Sequence, residues 1–298
     1  MQINRLGEFG LIKRFQRAIK TDTSVIKGSG DDCAVLALDK KNYQLLTTDM
    51  IVEGIDFKKN ENLRLVGRKA LAISVSDIAA CSGLPKHAVV TLGLRRDMQV
   101  KHVDLLAKGL FDLAKEFKIN IVGGDLSACD KLIINVTLTG IVEKNRLILR
   151  GGARAGDIIM ATGTFGGSIK GKHLRFNPRL EESRYLSANF KINSMIDVSD
   201  GLVQDLGHIL EESKKGAVLY ESLVPLSKHV KNPQEALCSG EEFELLFSAP
   251  RDQASKIIKS SKYNFKVIGE IMPENFGLRL INLENKYSKL KLEGFKHF

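Results

Sequence analysis

The sequence predicts an α/β (α+β) protein of two domains, and three observations carry that expectation. At 298 residues the chain exceeds one minimal domain and suits two of ordinary size. Short apolar runs recur along it, alternating with segments whose apolar residues fall at helical spacing. Midway, NRLILRGGARAGD (145–157) interrupts the series with glycines and arginines, and a second strand series follows. The boundary is therefore placed near 145, giving domains 1–145 and 146–298.

The elements follow in order. Ile3, Leu6, Phe9, Ile12, Phe15 and Ile19 recur at helical spacing and predict an amphipathic N-terminal helix. CAVLAL (33–38) and QLLTTDMI (44–51) read as neighbouring strands joined by the polar turn DKKN. Residues 61–82 suit a long, largely buried helix, and 100–117 a clear amphipathic one. HAVVTLGL (87–94), INIVGGD (119–125) and KLIINVTLTGIVE (131–143) read as strands. The second series runs DIIMATG, SMIDVSDG, the helix GLVQDLGHILEESKK, then FELLFSAP, FKVIGEIM and LRLINL.

Composition narrows the function classes. With 43% apolar and 27% charged residues the chain is an ordinary folded protein. No apolar run approaches the roughly 18–20 residues of a membrane span, and the N-terminus carries no leader pattern. Cys33, Cys81, Cys129 and Cys238 lie far apart, as buried thiols in a reduced, cytoplasmic protein do. The net charge of +10 is spread along the chain without aromatic–basic interleaving. A solvated lysine-rich surface accounts for it better than a nucleic-acid partner, and an anionic small substrate is compatible with it.

The chemistry lies in aspartates placed among Gly, Ala, Val and Ile. They are Asp32 in GSGDDCA, Asp49 in TTDM, Asp77 in SVSDIAA, Asp125 in VGGDLS, and Asp197 with Asp200 in IDVSDG. An unpaired carboxylate is expensive to desolvate in such a setting. Two of them about 4 Å apart repel by roughly 4 kcal/mol at an effective dielectric near 20. Singly, each reads as a helix cap or turn residue; as a set they call for a cation. Oxygen-only ligands without His or Cys favour Mg²⁺, which keeps open positions for substrate phosphates. The stretch GGSIKGKH (166–173) matches a P-loop up to its last residue, where His173 replaces the required Ser or Thr. His208 reads as a packing residue, and no nucleophile–base arrangement occurs.

These stretches, with GEFGLIKRF (7–15), LRGGARAGD, SGEEFEL (239–245) and the closing GFKHF (294–298), resemble the thiamine-monophosphate kinase family of the aminoimidazole-ribonucleotide-synthetase superfamily. The resemblance covers nearly the whole chain. It implies ATP-dependent phosphorylation of thiamine monophosphate to thiamine diphosphate, with ATP as co-substrate and several Mg²⁺ ions. It also implies a homodimer whose N-terminal mixed sheets form a barrel across the interface, near the ATP site, and a C-terminal α/β domain. By the same resemblance Asp32, Thr47, Thr48, Asp49, Asp77, Asp125, Asp197 and Asp200 bind metal. Gly124, Asp125, Arg150 and Ser199 touch ATP, while Asp56, Glu241 and Phe295 hold the thiamine end.

Four departures from the family pattern bear on substrate geometry: Asp56 where a histidine is usual, Leu126 after GGD, SGEEFE at 239–244, and a short loop after GTFGGS that reads HLRFNPR (173–179). The implied acceptor is a phosphate monoester with a second pKa near 6, mostly ionised at neutral pH, so no general base is expected. Arg150 can add bidentate charge stabilisation. Three rivals remain at this point: another ATP-using member of the superfamily (purine-pathway, selenium or hydrogenase-maturation substrates), a binding protein that retains the fold but has lost activity, as Asp56 and Leu126 would allow, and a non-catalytic nucleic-acid-binding protein.

Overall fold

The computed structural model describes residues 2–230 and 232–295; Lys296, His297 and Phe298 of the closing motif lie outside the described residues. After α1 (Ile3–Gln16), six strands form the first sheet: β1 (Val25–Lys27), β2 (Ala34–Ala37), β3 (Asn42–Val52), β4 (Leu84–Leu94), β5 (Asn120–Ala128) and β6 (Ile133–Glu143). Their order is β1-β2-β3-β6-β4-β5, and only β4 and β5 run parallel. Two helices, α2 (Leu63–Ala80) and α3 (Val100–Glu116), pack on one face.

Residues of β6 alternate accordingly. Ile134, Val136 and Leu138 are buried with Val66, Ala70 and Leu71 of α2, while Asn135 and Thr137 fall on the other face. Among the described residues that other face carries no helix, and Met50 and Val89 on it are 57% and 40% exposed. The sheet has free edges at β1 and β5, so one chain closes no barrel by itself.

The second sheet is mixed and seven-stranded. Its strands are β7 (Ile158–Ala161), β8 (Ser194–Asp197), β9 (Lys215–Tyr220), β10 (Leu245–Ala249), β11 (Lys266–Pro273), β12 (Leu278–Ile281) and β13 (Tyr287–Lys289). They are ordered β13-β12-β9-β11-β7-β10-β8. Helices α4 (Leu180–Asn189), α5 (Leu202–Ser213), α6 (Pro233–Cys238) and α7 (Arg251–Ser260) accompany it. Among the described residues no helix is long and apolar enough to cross a membrane.

Two differences from the sequence reading have local causes. The helix expected to run through Lys215 ends at Ser213, because Lys214 takes the left-handed conformation (φ 52°) and the chain turns into β9. The apolar stripe of α1 is not a core face. Gly7 at φ 69° breaks the helix early, Ile3 and Phe15 stay exposed, and Phe9 packs against the His208 ring at 5.3 Å.

The approach of α2 to α3 depends on two reciprocal glycines. A Cβ on Gly67 would meet the Leu106 carbonyl oxygen at 2.0 Å, and one on Gly109 the Arg64 carbonyl oxygen at 1.9 Å. Backbone atoms cannot yield as a flexible side chain does. Gly109→Ala is therefore expected to lower stability by about 2 kcal/mol, despite a helix-propensity gain of about 1 kcal/mol. Thermal denaturation reads this; an unchanged or raised Tm would disprove the close crossing.

Candidate active site

Asp49 from β3, Asp77 from α2, Asp197 from the end of β8 and Asp32 from the loop before β2 line one cleft of about 390 Å³. Carboxylate oxygens of Asp32, Asp77 and Asp197 lie within 4.8 Å of one another. Hydroxyl groups fix these acids in place. Ser74 Oγ donates to Asp49 Oδ2 at 2.7 Å, Ser76 Oγ donates to Asp197 Oδ2 at 2.6 Å, and Thr47 Oγ1 donates to Asp77. Thr47 faces this cleft. Thr48, one residue on, lies at its rim with its hydroxyl 3.0 Å from that of Thr137 on the open face of the sheet.

The electrostatics are those of an acid cluster short of positive charge. Burial, reinforced by Asp32, lifts Asp31 to about 7 and Asp197 to about 8. Burial together with Asp49, Asp197 and Asp32 raises Asp77 well above the usual carboxylate range. Asp49 and Asp32 are also raised, by burial first. Arg150 answers part of this charge: its Nε and Nη2 donate to Asp32 Oδ1 at 3.2 and 2.7 Å. Burial works against the Arg150 cation, but Asp32, Asp31 and Asp197 outweigh it and hold its pKa above the ordinary value. Asp31 has a separate task, accepting the backbone N–H of Arg150 at 3.1 Å.

Asp32 Oδ2 is buried and has no hydrogen-bond partner among the described residues. An orphaned carboxylate oxygen beside the buried Asp197 and the half-buried Asp77 is the arrangement a hard cation completes. The donors are all oxygen, which fits Mg²⁺.

A second cavity of about 400 Å³ adjoins the first and shares Asp49, Ser199 and Asp200 with it. Its walls are mostly apolar, and it contains Asp56, Glu241 and Phe295, the three residues expected at the substrate's organic end. The Asp56 carboxylate turns back on its own loop, accepting the Val52 N–H at 2.7 Å. The Phe295 backbone N–H donates to the Asp200 carbonyl oxygen at 2.9 Å, which seats the C-terminal segment beside Asp200.

Two expected residues lie elsewhere. Gly124 and Asp125 sit on β5, the exposed edge strand, paired with Val90 and Thr91. Asp125 lies on the open face, in the row of Met50 and Asn135, three strands and about 14 Å across the sheet from β3. Within one chain neither joins the acid cleft. The glycine at 124 has a packing reason, since a Cβ there would meet the Val90 carbonyl oxygen at 1.8 Å.

Residues that sequence reasoning did not single out complete the site. Asp205 on α5 accepts the Asp200 and Gly201 backbone N–H groups, both at 3.0 Å, and so shapes the turn after β8. Glu242 and Glu244, fully buried, are paired with Lys172 at 2.9 Å, and Arg179 donates to Glu244 at 2.7 Å. Lys172 of the P-loop look-alike is thus an ion-pair partner that locks the loop to residues 242–244. Lys69, buried on α2, donates to the Asp56 carbonyl oxygen at 2.7 Å and to Glu241. Its only sequence signal was a position two helical i+4 steps before Asp77.

Comparison with known proteins agrees over the full length. Residues 30–142 match the AIR synthase related protein N-terminal domain, and residues 150–280 the corresponding C-terminal domain. Thiamine-monophosphate kinases of Buchnera aphidicola (subsp. Schizaphis graminum) and Aquifex aeolicus are each 32% identical. The first aligns over 98% of this chain and 99% of its own, the second over 100% of both. A solved structure described as AaThiL complexed with AMPPCP and TMP superposes with a TM-score of 0.88 at 30% identity, covering 100% of this chain and 99% of that one. Hydrogenase maturation protein HypE in complex with ATP, at 17% identity and a TM-score of 0.72, shares the fold.

Proposed function

The chain belongs to the thiamine-monophosphate kinases of the AIR synthase related family, and we propose that it transfers the γ-phosphoryl group of ATP to thiamine monophosphate, forming thiamine diphosphate and ADP. The observation that carries this reading is the meeting of two cavities at Asp49, Ser199 and Asp200, one acidic and one apolar. Phosphates belong in the first and an aromatic heterocycle in the second, so acceptor phosphate and nucleotide phosphate meet at their shared wall.

Asp32, Thr47, Asp49, Asp77, Asp197 and Asp200 would hold Mg²⁺, with Thr48 at the rim. The ions would neutralise the phosphates and align an in-line transfer. The remaining work falls to the chain itself. Arg150, held by Asp32 and by the Asp31 contact to its backbone, presents a fixed cation to the nucleotide phosphates, with Ser199 beside them. No side chain need remove a proton, because the acceptor phosphate is ionised at neutral pH. His208 is unsuited to that task in any case, since burial and then Arg150 push it down to about 4.

Two copies of the chain are proposed to pair through the open faces of their first sheets, residues 1–145, burying Met50 and Val89. The barrel then forms between chains, and Gly124 and Asp125 reach the nucleotide site across the interface. The four free cysteines accord with a reduced, cytoplasmic setting, where ATP and Mg²⁺ are plentiful.

Purified protein given Mg-ATP and thiamine monophosphate is expected to produce thiamine diphosphate and ADP one for one. Activity should vanish on chelation and return with added Mg²⁺. Absence of product under these conditions would overturn the reading.

A further inference from the structure

Helix α2 carries one continuous working stripe. Lys69, Ile73 and Asp77 follow at steps of four, which places them on one face over about 12 Å of helix. Asp77 lies at the acid cleft, while Lys69 and Ile73 line the apolar cavity.

Lys69 is 0% exposed, one of the largest fully buried side chains in the molecule. A buried ammonium requires an opposite charge and hydrogen-bond acceptors. It has both: Glu241 Oε1, and the Asp56 carbonyl oxygen at 2.7 Å. Glu241 is equally constrained. Its backbone sits at φ 60°, a left-handed conformation unusual for glutamate, and its N–H donates to the Ser199 carbonyl oxygen at 2.6 Å. Lys69 occupies Oε1, whereas Oε2 is buried with no hydrogen-bond partner among the described residues. Glu241 also lines the mostly apolar cavity, so an acceptor oxygen that no other described residue satisfies is held in that cavity's wall.

We propose that Lys69 is a positioning residue of the acceptor site: it clamps one oxygen of Glu241 so that the other faces the cavity as a fixed acceptor, and the site thereby selects substrates bearing an N–H donor over analogues bearing an oxo group there. This rests on the reading that the cavity holds the organic half of the acceptor. The aminopyrimidine of thiamine has such a donor. A site whose buried acceptor must be matched rejects an analogue lacking the donor, because the oxygen would then stay unpaired.

The clamp makes a prediction that a merely structural lysine would not. Lysine offers donors only. In Glu241→Gln it must take the amide oxygen, which turns the amide NH₂ into the cavity. The preference should then invert, with the oxo analogue of thiamine monophosphate used better than the amino compound. In the double variant Lys69→Met/Glu241→Gln the amide is free to turn, and the inversion should disappear. Lys69→Met alone should raise KM for thiamine monophosphate by about 30-fold or more, leave KM for ATP within about twofold, and reduce amino-over-oxo discrimination by about 100-fold.

Steady-state kinetics of wild type and the three variants with both acceptors test this, with Tm measured for each. Glu241→Gln keeps Lys69 and the side-chain volume, so it remains informative if Lys69→Met does not fold. An unchanged amino preference in folded Glu241→Gln, or equal rises in KM for ATP and acceptor in Lys69→Met, would overturn the proposal while leaving the kinase reading intact. Failure of the wild type to phosphorylate either compound would overturn that reading, and the proposal with it.

Discussion

Asp197→Asn is expected to lower kcat/KM by about three orders of magnitude or more and, in the same protein, to raise the Tm of the metal-free chain at alkaline pH. The loss of activity follows from removing one charged oxygen ligand, since about 4 kcal/mol of transition-state stabilisation corresponds to about a thousandfold in rate. The gain in stability follows from the cost of that carboxylate when no metal is present. Burial, then Asp32, raise its pKa from 3.8 to about 8. A raised carboxyl pKa means the folded chain holds a proton the unfolded chain releases, so stability falls as pH climbs from 3.8 towards 8 and levels off above it. Asparagine has no proton to lose, and its side-chain oxygen still accepts from Ser76. The Tm difference between variant and wild type should thus be small near pH 5 and greatest above pH 8. Saturating Mg²⁺ should stabilise the wild type more at high pH than at low, and more than it does the variant. A structural carboxylate behaves in the opposite way. If metal-free Asp197→Asn melts below the wild type at pH 9, Asp197 is holding the fold and its place in a metal site is lost.

This opposition between stability and chemistry also explains what the sequence could reveal. Asp32, Asp49, Asp77 and Asp197 were visible because each sits among small and apolar residues, where a charge is anomalous without a partner. Their convergence was foreseeable from that anomaly. Asp125 shares the same local context, flanked by glycine and apolar residues, yet lies on an exposed edge strand. Neighbouring residues record whether a strand is apolar; they do not record that its sheet has an uncovered face. Lys69 was hidden for the converse reason. A lysine after Arg68 in a lysine-rich chain looks solvated, and only its partners Glu241 and Asp56, 172 and 13 residues away, make it a buried group. Among the elements, α7 escaped because RDQASKIIKS buries only Ala254 and Ile257, too few to give a periodic signal. β9 escaped because the helical pattern before it continues past Ser213, and only the backbone of Lys214 reveals the stop.

The exposed position of Asp125 yields a second large effect. Asp49→Asn and Asp125→Asn proteins, each inactive alone, are expected to regain activity when mixed under conditions that allow subunit exchange. If the site on each chain takes Asp125 from its partner, a mixed dimer contains one doubly damaged site and one intact site. Random pairing in equal amounts makes half the dimers mixed, so activity should recover to about a quarter of wild type. If Asp125 served its own chain, both sites of the mixed dimer would be damaged and mixing would restore nothing. The geometry favours the first outcome. Asp49 points towards α2, where its carboxylate meets Ser74, whereas Asp125 lies on the uncovered face of the same sheet, three strands distant. No side-chain rotation carries a carboxylate from one face of a sheet to the other, or over about 14 Å. A second chain laid on the open face removes the difficulty, because it supplies its own Asp125 from outside. A mixture that stays inactive after exchange has been demonstrated, by mass or by a tag on one chain, would rule out the shared site.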